Sequence, residues 1–279
     1  MRPGVQVDAT MDGYRDLSEL RQRRDSTRVF ELVAHLLPHV GTYVDYGCGT
    51  GGLIAEMRDH LSQGSTIVGI DASPVRVDAC RSDFAHDRRT QFHVADLLDQ
   101  LPDVRADLAT MTAVLHWLHP REAEVVAAVA ERMTNDATFV LTTYHPGDET
   151  VGLGGTDAVV AEALRATDRR DIDDRLARAA LVPISRRTLP AEAIQSMLTQ
   201  RFRNVDVDES LAETTAESGE QFYRYFLSTF GSYYLPLFAS ADHMADAVVD
   251  AANTRIDRLG YITRMPVRTW IAHRPTVTT

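Results

Sequence analysis

Four glycines stand within six positions, from Gly47 to Gly52, and the acidic residue Asp45 comes shortly before them. Glycine permits tight turns and positive φ angles, and its missing Cβ lets a ligand approach the backbone. The glycines follow a β-rich segment at 42–46 and precede a helical segment at 53–61. Open parallel sheets bind ligands at the carboxyl ends of their strands, so this turn is a candidate binding loop.

Two more acids end neighbouring apolar segments. Asp71 comes directly after TIVGI at 66–70, and Asp96 comes directly after TQFHVA at 90–95. A carboxylate at the end of the second strand accepts hydrogen bonds from the hydroxyls of a ribose. The glycines and the acids together therefore indicate a site for a nucleoside-containing cofactor.

The glycines alone leave the cofactor open. Gly47, Gly49 and Gly52 satisfy the G-x-G-x-x-G fingerprint of dinucleotide binding, which makes a nicotinamide oxidoreductase one interpretation. Against it, Asp45 stands in the strand where a dinucleotide fold usually keeps apolar residues, and no pyrophosphate-binding arginine follows the loop closely. A protein that binds a cofactor without catalysis is a further alternative, as is a loop in which the glycines only make a turn.

Two histidines follow later strands. His116, with Trp117 beside it, comes after the predicted fourth strand, and His145 comes after the fifth. Histidine is the commonest general base, so either could remove a proton from an amine, phenol or carbon nucleophile, or bind the substrate. The other interpretation is structural: a hydrogen-bonded core histidine at His116, and the start of a Pro-Gly turn at His145.

The segment 219–238 is dense in aromatic residues and contains Tyr223 and Arg224. An arginine near a pocket holds a carboxylate through two parallel hydrogen bonds, so both residues are candidates for substrate binding in a lid. Arg186 and Arg187 are rival anion-binding residues. The aromatic residues also recur at helical spacing, which simple packing in a core would explain equally well.

The elements that position these residues alternate along the first half of the chain. Apolar strands separated by helices imply a parallel sheet with right-handed crossovers. We therefore predict an α/β fold, a doubly wound Rossmann-like sheet with a mostly helical lid inserted around the last strands. The predicted strands are 42–46, 66–70, 90–95, 106–112, 137–144, 202–210 and 261–274. The predicted helices are 26–38, 53–61, 73–84, 121–133, 157–166, 171–181 and 241–259.

Composition excludes several classes of protein. The 279 residues carry a net charge of −11, which repels phosphate backbones and argues against nucleic-acid binding. The chain has no lysine, so it has neither a P-loop lysine nor a Schiff-base lysine. No segment has the length of a membrane span and the first residues lack a signal-peptide core, so we expect a cytoplasmic protein. No ligand cluster predicts a metal site, and the sequence leaves the oligomeric state open.

Four motifs in order resemble class I S-adenosylmethionine-dependent methyltransferases. They are VDYGCGTGGL around the glycines, VGIDASP at the second strand, VADLLDQLP after the third and DLATMTAVLHWL at the fourth. A narrower resemblance, in LRQRRDSTRVFELV, AVLHWL and the segment LPAEAIQSMLTQRFRNVDVDES, is to the trans-aconitate and juvenile-hormone-acid methyltransferases. Both groups methylate carboxylates of small molecules, so the resemblance implies S-adenosylmethionine as cofactor and O-methylation of a small acid. Methylation of carbon or nitrogen is the alternative within this class.

The resemblance implies where the methionine and ribose portions of the cofactor bind. Gly47 and Gly49 would lie against the methionine portion, with Asp45 near its amino group. Asp71 would accept hydrogen bonds from the ribose hydroxyls, and Ala72 would lie beside the adenine.

The resemblance also implies the contacts of the base and of the sulfonium. Asp96 would accept a hydrogen bond from the adenine amino group, with the Leu97 amide close to the ring. Thr112 would place its carbonyl near the sulfonium. Gln22 matches a glutamine near the active site of the juvenile-hormone enzymes, and Tyr14 would fold over the cofactor.

These expectations divide the chain into four parts. Residues 1–40 are an N-terminal helical segment over the cofactor, and residues 41–146 are the cofactor-binding core. Residues 147–260 are a helical lid and substrate-binding region that includes a core strand near 202–208. Residues 261–274 are the final core strand.

Overall fold

One seven-stranded sheet, in the order β3-β2-β1-β4-β5-β7-β6, organises the fold. The structure is a computed structural model that describes residues 19–99, 101–167, 172–214 and 216–276. The strands are β1 (Thr42–Tyr46), β2 (Thr66–Asp71), β3 (Thr90–Val94), β4 (Ala106–Thr112), β5 (Met133–Tyr144), β6 (Phe202–Thr214) and β7 (Thr263–Pro275).

Ten α-helices connect or follow the strands in the described ranges. They are α1 (Glu19–Val33), α2 (Gly52–Met57), α3 (Pro74–Asp83), α4 (Glu122–Glu131), α5 (Gly154–Thr167), α6 (Ile172–Arg178), α7 (Ala191–Thr199), α8 (Gly219–Phe226), α9 (Ser232–Tyr234) and α10 (Ala241–Leu259). A π-helical turn at Leu227–Gly231 joins α8 to α9. No helix in these ranges is long and apolar enough to cross a membrane.

The predicted α/β class and the parallel core are confirmed. Strands β1 and β2, β2 and β3, β1 and β4, and β4 and β5 all pair in parallel. Strands β1 and β4 begin and end at the predicted residues because their apolar, β-branched segments are buried. Helix α3 begins as its Ser-Pro pair predicts, since the Ser73 hydroxyl accepts a hydrogen bond from the Arg76 amide at 3.3 Å.

Some boundaries differ from the prediction for reasons outside the local sequence. Helix α1 begins at Glu19 and ends at Val33, and a separate 3₁₀ turn covers Leu37–His39. Strand β5 begins at Met133, before its apolar segment, because Met133 pairs with Ala106 of β4. Pairing between strands thus extends β5 through polar residues that would not indicate a strand by themselves.

The chain divides into two compact units. The sheet unit comprises Gln22–Thr143, Pro190–Glu209 and Arg268–Thr279, and the helical unit comprises Met1–Arg21, Tyr144–Leu189 and Ser210–Val267. The sheet unit contains the glycine turn and the three strand-end acids. In the helical unit, α10 packs against both α5 and α8.

Candidate active site

The glycine turn has the backbone that its composition predicts. Gly47, Gly49 and Gly51 have φ angles of 78°, 56° and 78°, in the left-handed region that side chains other than glycine rarely adopt. The amides of Gly47 and Cys48 both donate to the Ile70 carbonyl, at 2.7 and 2.9 Å. The turn is therefore fastened to β2 before α2 begins.

Part of the bare surface of this turn is filled by the protein itself. A Cβ on Gly47 would lie 2.2 Å from Cγ2 of Val114, and a Cβ on Gly51 would lie 2.8 Å from Cε2 of Phe84. Both glycines are required by close packing as well as by their φ angles. The sequence pattern indicated the need for glycine but not the side chains that impose it.

Asp71 links β2 to the glycine turn. Its Oδ2 accepts a hydrogen bond from the Gly49 amide at 2.9 Å, and its Oδ1 accepts one from the Ser73 amide at 2.8 Å. Each oxygen of a carboxylate can accept two hydrogen bonds, so both retain capacity for a ligand. Ala72 is half-buried beside it.

Asp96 and Leu97 form the loop that follows β3. Asp96 is half-buried and its Oδ1 accepts a hydrogen bond from the Leu98 amide at 2.9 Å, which makes a local Asx turn. Leu97 is buried, and the Arg121 guanidinium donates to the Leu98 carbonyl at 3.2 Å. The loop is thus held both by its own side chain and by the residue that precedes α4.

Asp45 lies in β1 and is only 1% exposed. Thr110 of β4 donates to its Oδ1 at 2.6 Å, and the Tyr43 hydroxyl is 2.9 Å from Thr110 Oγ1. Burial, opposed by the hydrogen bond from Thr110 and assisted by the negative charge of Asp71, raises the pKa of Asp45 to about 7. Asp45 therefore changes its charge near neutral pH.

The end of β4 contains two features that the sequence did not indicate. Ala113 has a φ angle of 58°, which is strained for a residue with a Cβ, and its amide donates to Thr142 Oγ1 at 3.0 Å. Val114 packs against Gly47. Thr112, the predicted sulfonium neighbour, is the last residue of β4 and directly precedes this bend. Neither alanine nor valine is a residue type from which a sequence pattern predicts a positive φ angle or a contact with a glycine turn.

His116 and Trp117 lie in a 3₁₀ turn at Leu115–Leu118, directly after β4. Their ring centroids are 4.9 Å apart with an interplanar angle of 45°. The His116 residue is 6% exposed.

Cys48 lies in the glycine turn, and Cys80 of α3 packs against it. Cys48 and Cys80 are both buried and free, and Cys80 Sγ donates to the Gly49 carbonyl at 3.3 Å. The hydrogen bond with Cys80 and burial raise the pKa of Cys48 well above its ordinary value. Cys48 is thus a thiol without nucleophilic character.

Two predicted cofactor contacts cannot be placed. Tyr14 lies outside the described residues. Gln22 belongs to α1, but its side chain is outside the described part of the structure. Both remain predictions.

The predicted substrate-binding residues lie in the helical unit. His145 is buried and its carbonyl accepts a hydrogen bond from the Leu153 amide at 3.2 Å. Tyr223 is half-buried in α8, and burial followed by the charge of Asp242 raises its pKa. Arg224 is exposed.

Most of the aromatic residues near Tyr223 serve as core. Phe226 stacks on Tyr234 with ring centroids 6.0 Å apart and an interplanar angle of 9°. Arg187 is buried, with its guanidinium 5.3 Å from the centroid of the Tyr233 ring. The buried members of the cluster are Phe222, Tyr225, Phe226, Phe230, Tyr233 and Tyr234. Packing therefore accounts for these residues and for Arg187.

A cleft of about 770 Å³ opens in the helical unit, within the size range of small-molecule sites. Arg165 and Arg186 line it, both exposed, and neither forms an ion pair with a carboxylate in the described ranges. Asp157 also lines it, but its oxygens already accept hydrogen bonds from the Ile184 amide at 3.1 Å and the Ser185 amide at 2.9 Å. His145, Tyr223 and Arg224 do not line this cleft.

Comparison with known proteins identifies the class of this fold. A family model described as a methyltransferase domain matches residues 44–139, which contain the glycine turn and all three acids. No curated protein sequence matches the chain.

Several solved structures share the fold at low sequence identity. NodS, an N-methyltransferase from Bradyrhizobium japonicum WM9 solved with S-adenosylhomocysteine, has a TM-score of 0.52 and 12% identity, covering 96% of this chain and 94% of that one. A methyltransferase from Geobacter sulfurreducens, also with S-adenosylhomocysteine, has a TM-score of 0.54 and 14% identity, covering 94% and 98%. YjhP from E. coli has a TM-score of 0.55 and 16% identity, covering 94% and 99%.

Residues 44–139 thus match a methyltransferase domain, and the chain shares the fold of proteins solved with S-adenosylhomocysteine, the product that the cofactor S-adenosylmethionine leaves. The residues of the sheet unit fit this cofactor. A turn of positive-φ glycines after β1 and carboxylates near the carboxyl ends of β1, β2 and β3 provide a surface for a cationic, hydroxyl-bearing nucleoside. The nicotinamide oxidoreductase interpretation is not favoured by these findings.

Proposed function

We propose that the protein methylates a carboxylate of a small molecule. When bound, S-adenosylmethionine supplies a methyl group that its positively charged sulfur already activates. The protein therefore has to align the acceptor and exclude water, and no general base is needed for a nucleophile that is ionised at neutral pH. A carboxylate is such a nucleophile, whereas an amine, phenol or carbon acid usually has to lose a proton.

The methionine and ribose contacts follow the strand ends of the sheet unit. In this proposal Gly47 and Gly49 bind the methionine portion, and Asp45 faces its ammonium group. Asp71 binds the ribose hydroxyls through the acceptor capacity that its two backbone hydrogen bonds leave. Ala72 lies beside the adenine.

The base and sulfonium contacts follow the next two strand ends. Asp96 accepts from the adenine amino group, and the Leu97 amide lies near the ring. Thr112 provides its carbonyl near the sulfonium. Support comes from the parallel pairing of β2 with β3 and of β1 with β4, which brings these strand ends to one edge of the sheet.

The two arginines of the cleft, whose guanidinium groups suit an anionic acceptor, carry the choice of a carboxylate. A general base has to reach the proton that it removes, and His116 is 6% exposed with its ring against Trp117. In the proposal His116 and Trp117 shape the catalytic region and His116 transfers no proton. This distinguishes carboxylate methylation from methylation of nitrogen or carbon.

The cleft within the helical unit suits a small acidic ligand by its size and its charge. A cleft of about 770 Å³ suits a small metabolite, and Arg165 and Arg186 on its lining are cations without an acidic partner in the described ranges. His145, Tyr223 and Arg224 remain proposed acceptor contacts outside this cleft. An acid of the kind that trans-aconitate and juvenile-hormone-acid methyltransferases modify would meet these requirements.

Cofactor binding and product chemistry test the proposal separately. Isothermal titration is expected to show binding of S-adenosylhomocysteine and no binding of NAD; the reverse result would overturn the cofactor assignment. Purified protein is then incubated with methyl-labelled S-adenosylmethionine and a panel of small carboxylic acids and amines. A methyl ester, recognised because mild alkali releases the label, supports the proposal, and alkali-stable products from amines alone would contradict it.

Substitution of His116 tests the absence of a base. His116→Ala is expected to keep turnover of an acid acceptor within about threefold, because no proton has to be removed. A loss of about a hundredfold or more, restored in part by added imidazole, would show general-base catalysis and favour nitrogen or carbon as the acceptor atom. The Kd for S-adenosylhomocysteine, measured on the same variant, controls for damage to the fold.

A further inference from the structure

Three buried side chains form one hydrogen-bonded chain beneath the glycine turn. Tyr43 and Asp45 are two apart in β1 and therefore point to the same face of the sheet. Thr110 is the register partner of Asp45 in the neighbouring strand β4. The Tyr43 hydroxyl is 2.9 Å from Thr110 Oγ1, which donates to Asp45 Oδ1 at 2.6 Å, and all three residues are at most 1% exposed.

The number of hydroxyl protons determines which residue donates in each of these hydrogen bonds. A threonine hydroxyl carries a single proton, and Thr110 uses it for the Asp45 carboxylate. Thr110 must then accept at its oxygen, so Tyr43 donates. When Asp45 is ionised, both hydroxyls point their protons towards it, and each hydrogen bond polarises the next.

We infer that Thr110 and Tyr43 are positioning residues that hold the Asp45 carboxylate ready for the ammonium group of the cofactor. The inference rests on the proposed function, in which Asp45 faces that ammonium. In the described ranges Thr110 is the one hydrogen-bond donor to this carboxylate. The protein thus orients Oδ1 of Asp45, and the remaining acceptor capacity of the carboxylate is left for a ligand.

The electrostatics of the site support the same assignment. Burial and the nearby Asp71 both disfavour a negative charge on Asp45. Tyr43 and Cys48 stay neutral at physiological pH because their pKa values are raised, by burial for Tyr43 and chiefly by the hydrogen bond with Cys80 for Cys48. No cation acts on Asp45 in the described part of the chain, so an arriving ammonium would supply the missing partner.

Two ligands isolate the contact. S-adenosylhomocysteine carries the ammonium, whereas 5′-methylthioadenosine has the same nucleoside and thioether without the amino-acid portion. Thr110→Val removes the hydroxyl and keeps the shape of the side chain. We expect about a tenfold weaker Kd for S-adenosylhomocysteine and less than about a twofold change for methylthioadenosine. Equal losses for both ligands, or no loss for either, would refute the positioning role.

Two further variants separate positioning from general stability. Thr110→Ser restores the hydroxyl and is expected to bring the S-adenosylhomocysteine Kd back to within about threefold of the wild type. Thr138→Val removes a matched hydroxyl in β5 that pairs with His273 at 2.9 Å, away from the glycine turn. It should leave both affinities unchanged. If Thr138→Val weakens binding as much as Thr110→Val, the effect is structural and the inference fails.

The pH profile gives a readout that a purely structural role would not move. Affinity of the wild type for S-adenosylhomocysteine should rise between about pH 5.5 and about pH 8 as Asp45 loses its proton, and affinity for methylthioadenosine should not. In Thr110→Val the rise should move to higher pH, because the lost hydrogen bond favoured the ionised form. An unshifted rise would contradict the inference.

The outcomes also distinguish this inference from the proposed function. If neither ligand binds the wild type, the cofactor assignment itself is wrong. If both bind and Thr110→Val affects them alike, the cofactor assignment stands and the positioning role is wrong. If Thr110→Val does not fold, Tyr43→Phe keeps the buried ring and tests the same chain, with a smaller loss confined to S-adenosylhomocysteine.

Discussion

Among the described residues, each unit contains one carboxylate whose pKa is raised by desolvation, Asp45 and Asp157, but the two are hydrogen-bonded very differently. Asp157 of the helical unit accepts hydrogen bonds from the amides of Ile184 and Ser185 and a close one from the Tyr234 hydroxyl. Asp45 of the sheet unit accepts one hydrogen bond, from Thr110. Burial alone therefore does not explain why the two carboxylates have such different numbers of hydrogen-bond donors.

In our proposal, this difference separates a structural acid, Asp157, from a cofactor-binding acid, Asp45. The donors around Asp157 join α5, the turn at 184–187 and α9, so its hydrogen-bond acceptors are used within the fold. Asp45 is more deeply buried than Asp157, and it is left with acceptor capacity and a neighbouring negative charge. A buried carboxylate with few hydrogen-bond donors lowers the stability of the fold. Such a loss of stability is typical of functional sites, where a bound ligand supplies the missing partner.

The largest expected effect concerns Asp45→Asn. The folded-state pKa of about 7 lies above the ordinary 3.8, so Asp45 weakens the fold progressively as pH rises from about 4, and the loss is complete above about 7. Removing the charge should therefore stabilise the free protein at about pH 8, by as much as about 4 kcal/mol, with a smaller gain at lower pH. Denaturant unfolding at several pH values measures this.

The same variant should lose about a hundredfold in affinity for S-adenosylhomocysteine, because a neutral amide does not pair with the ammonium. A variant that is both more stable and a poor binder would establish Asp45 as a group kept for the ligand. An Asp45→Asn protein that is less stable at every pH would instead place Asp45 with Asp157 as a structural acid.

Asp157→Asn should act in the opposite way. The amide group of asparagine brings N–H donors to a site where Asp157 accepts from the Ser185 amide, so one donor loses its partner. We expect a loss of about 2 kcal/mol in the free energy of unfolding and a Kd for S-adenosylhomocysteine within about twofold of the wild type. A large loss of affinity here would break the distinction between the two carboxylates.

The smallest effects come from the tyrosine attached to each carboxylate. Tyr234→Phe removes a direct donor to Asp157 and should destabilise the protein by about 1 kcal/mol without changing cofactor affinity. Tyr43→Phe removes a donor that acts through Thr110, so affinity for S-adenosylhomocysteine should fall by about two- to threefold. These two variants sharpen the comparison. Equal effects of both on affinity would leave no special role for the hydrogen bonds that link Tyr43 and Thr110 to Asp45.

Local signals made the sheet unit predictable. The strand at 42–46, the glycine turn and the acids Asp71 and Asp96 are contiguous in the chain with the elements that place them. Because parallel strands bring their carboxyl ends to one edge, alternation of strands and helices was enough to gather these residues. The helical unit offered no such rule, and its aromatic residues fitted a lid and a core equally well until their burial was known.

The amino-acid sequence by itself determined the α/β class, the glycine turn and the acids at the ends of three strands, because each depends on neighbours a few positions away. Tertiary structure alone decided that Thr110 orients Asp45 across 65 positions, that Tyr234 meets Asp157 across 77, and that Val114 fills the space beside Gly47. Those contacts depend on which strands and helices become neighbours, and hydrophobic periodicity reports which face of an element is buried but not what it is buried against.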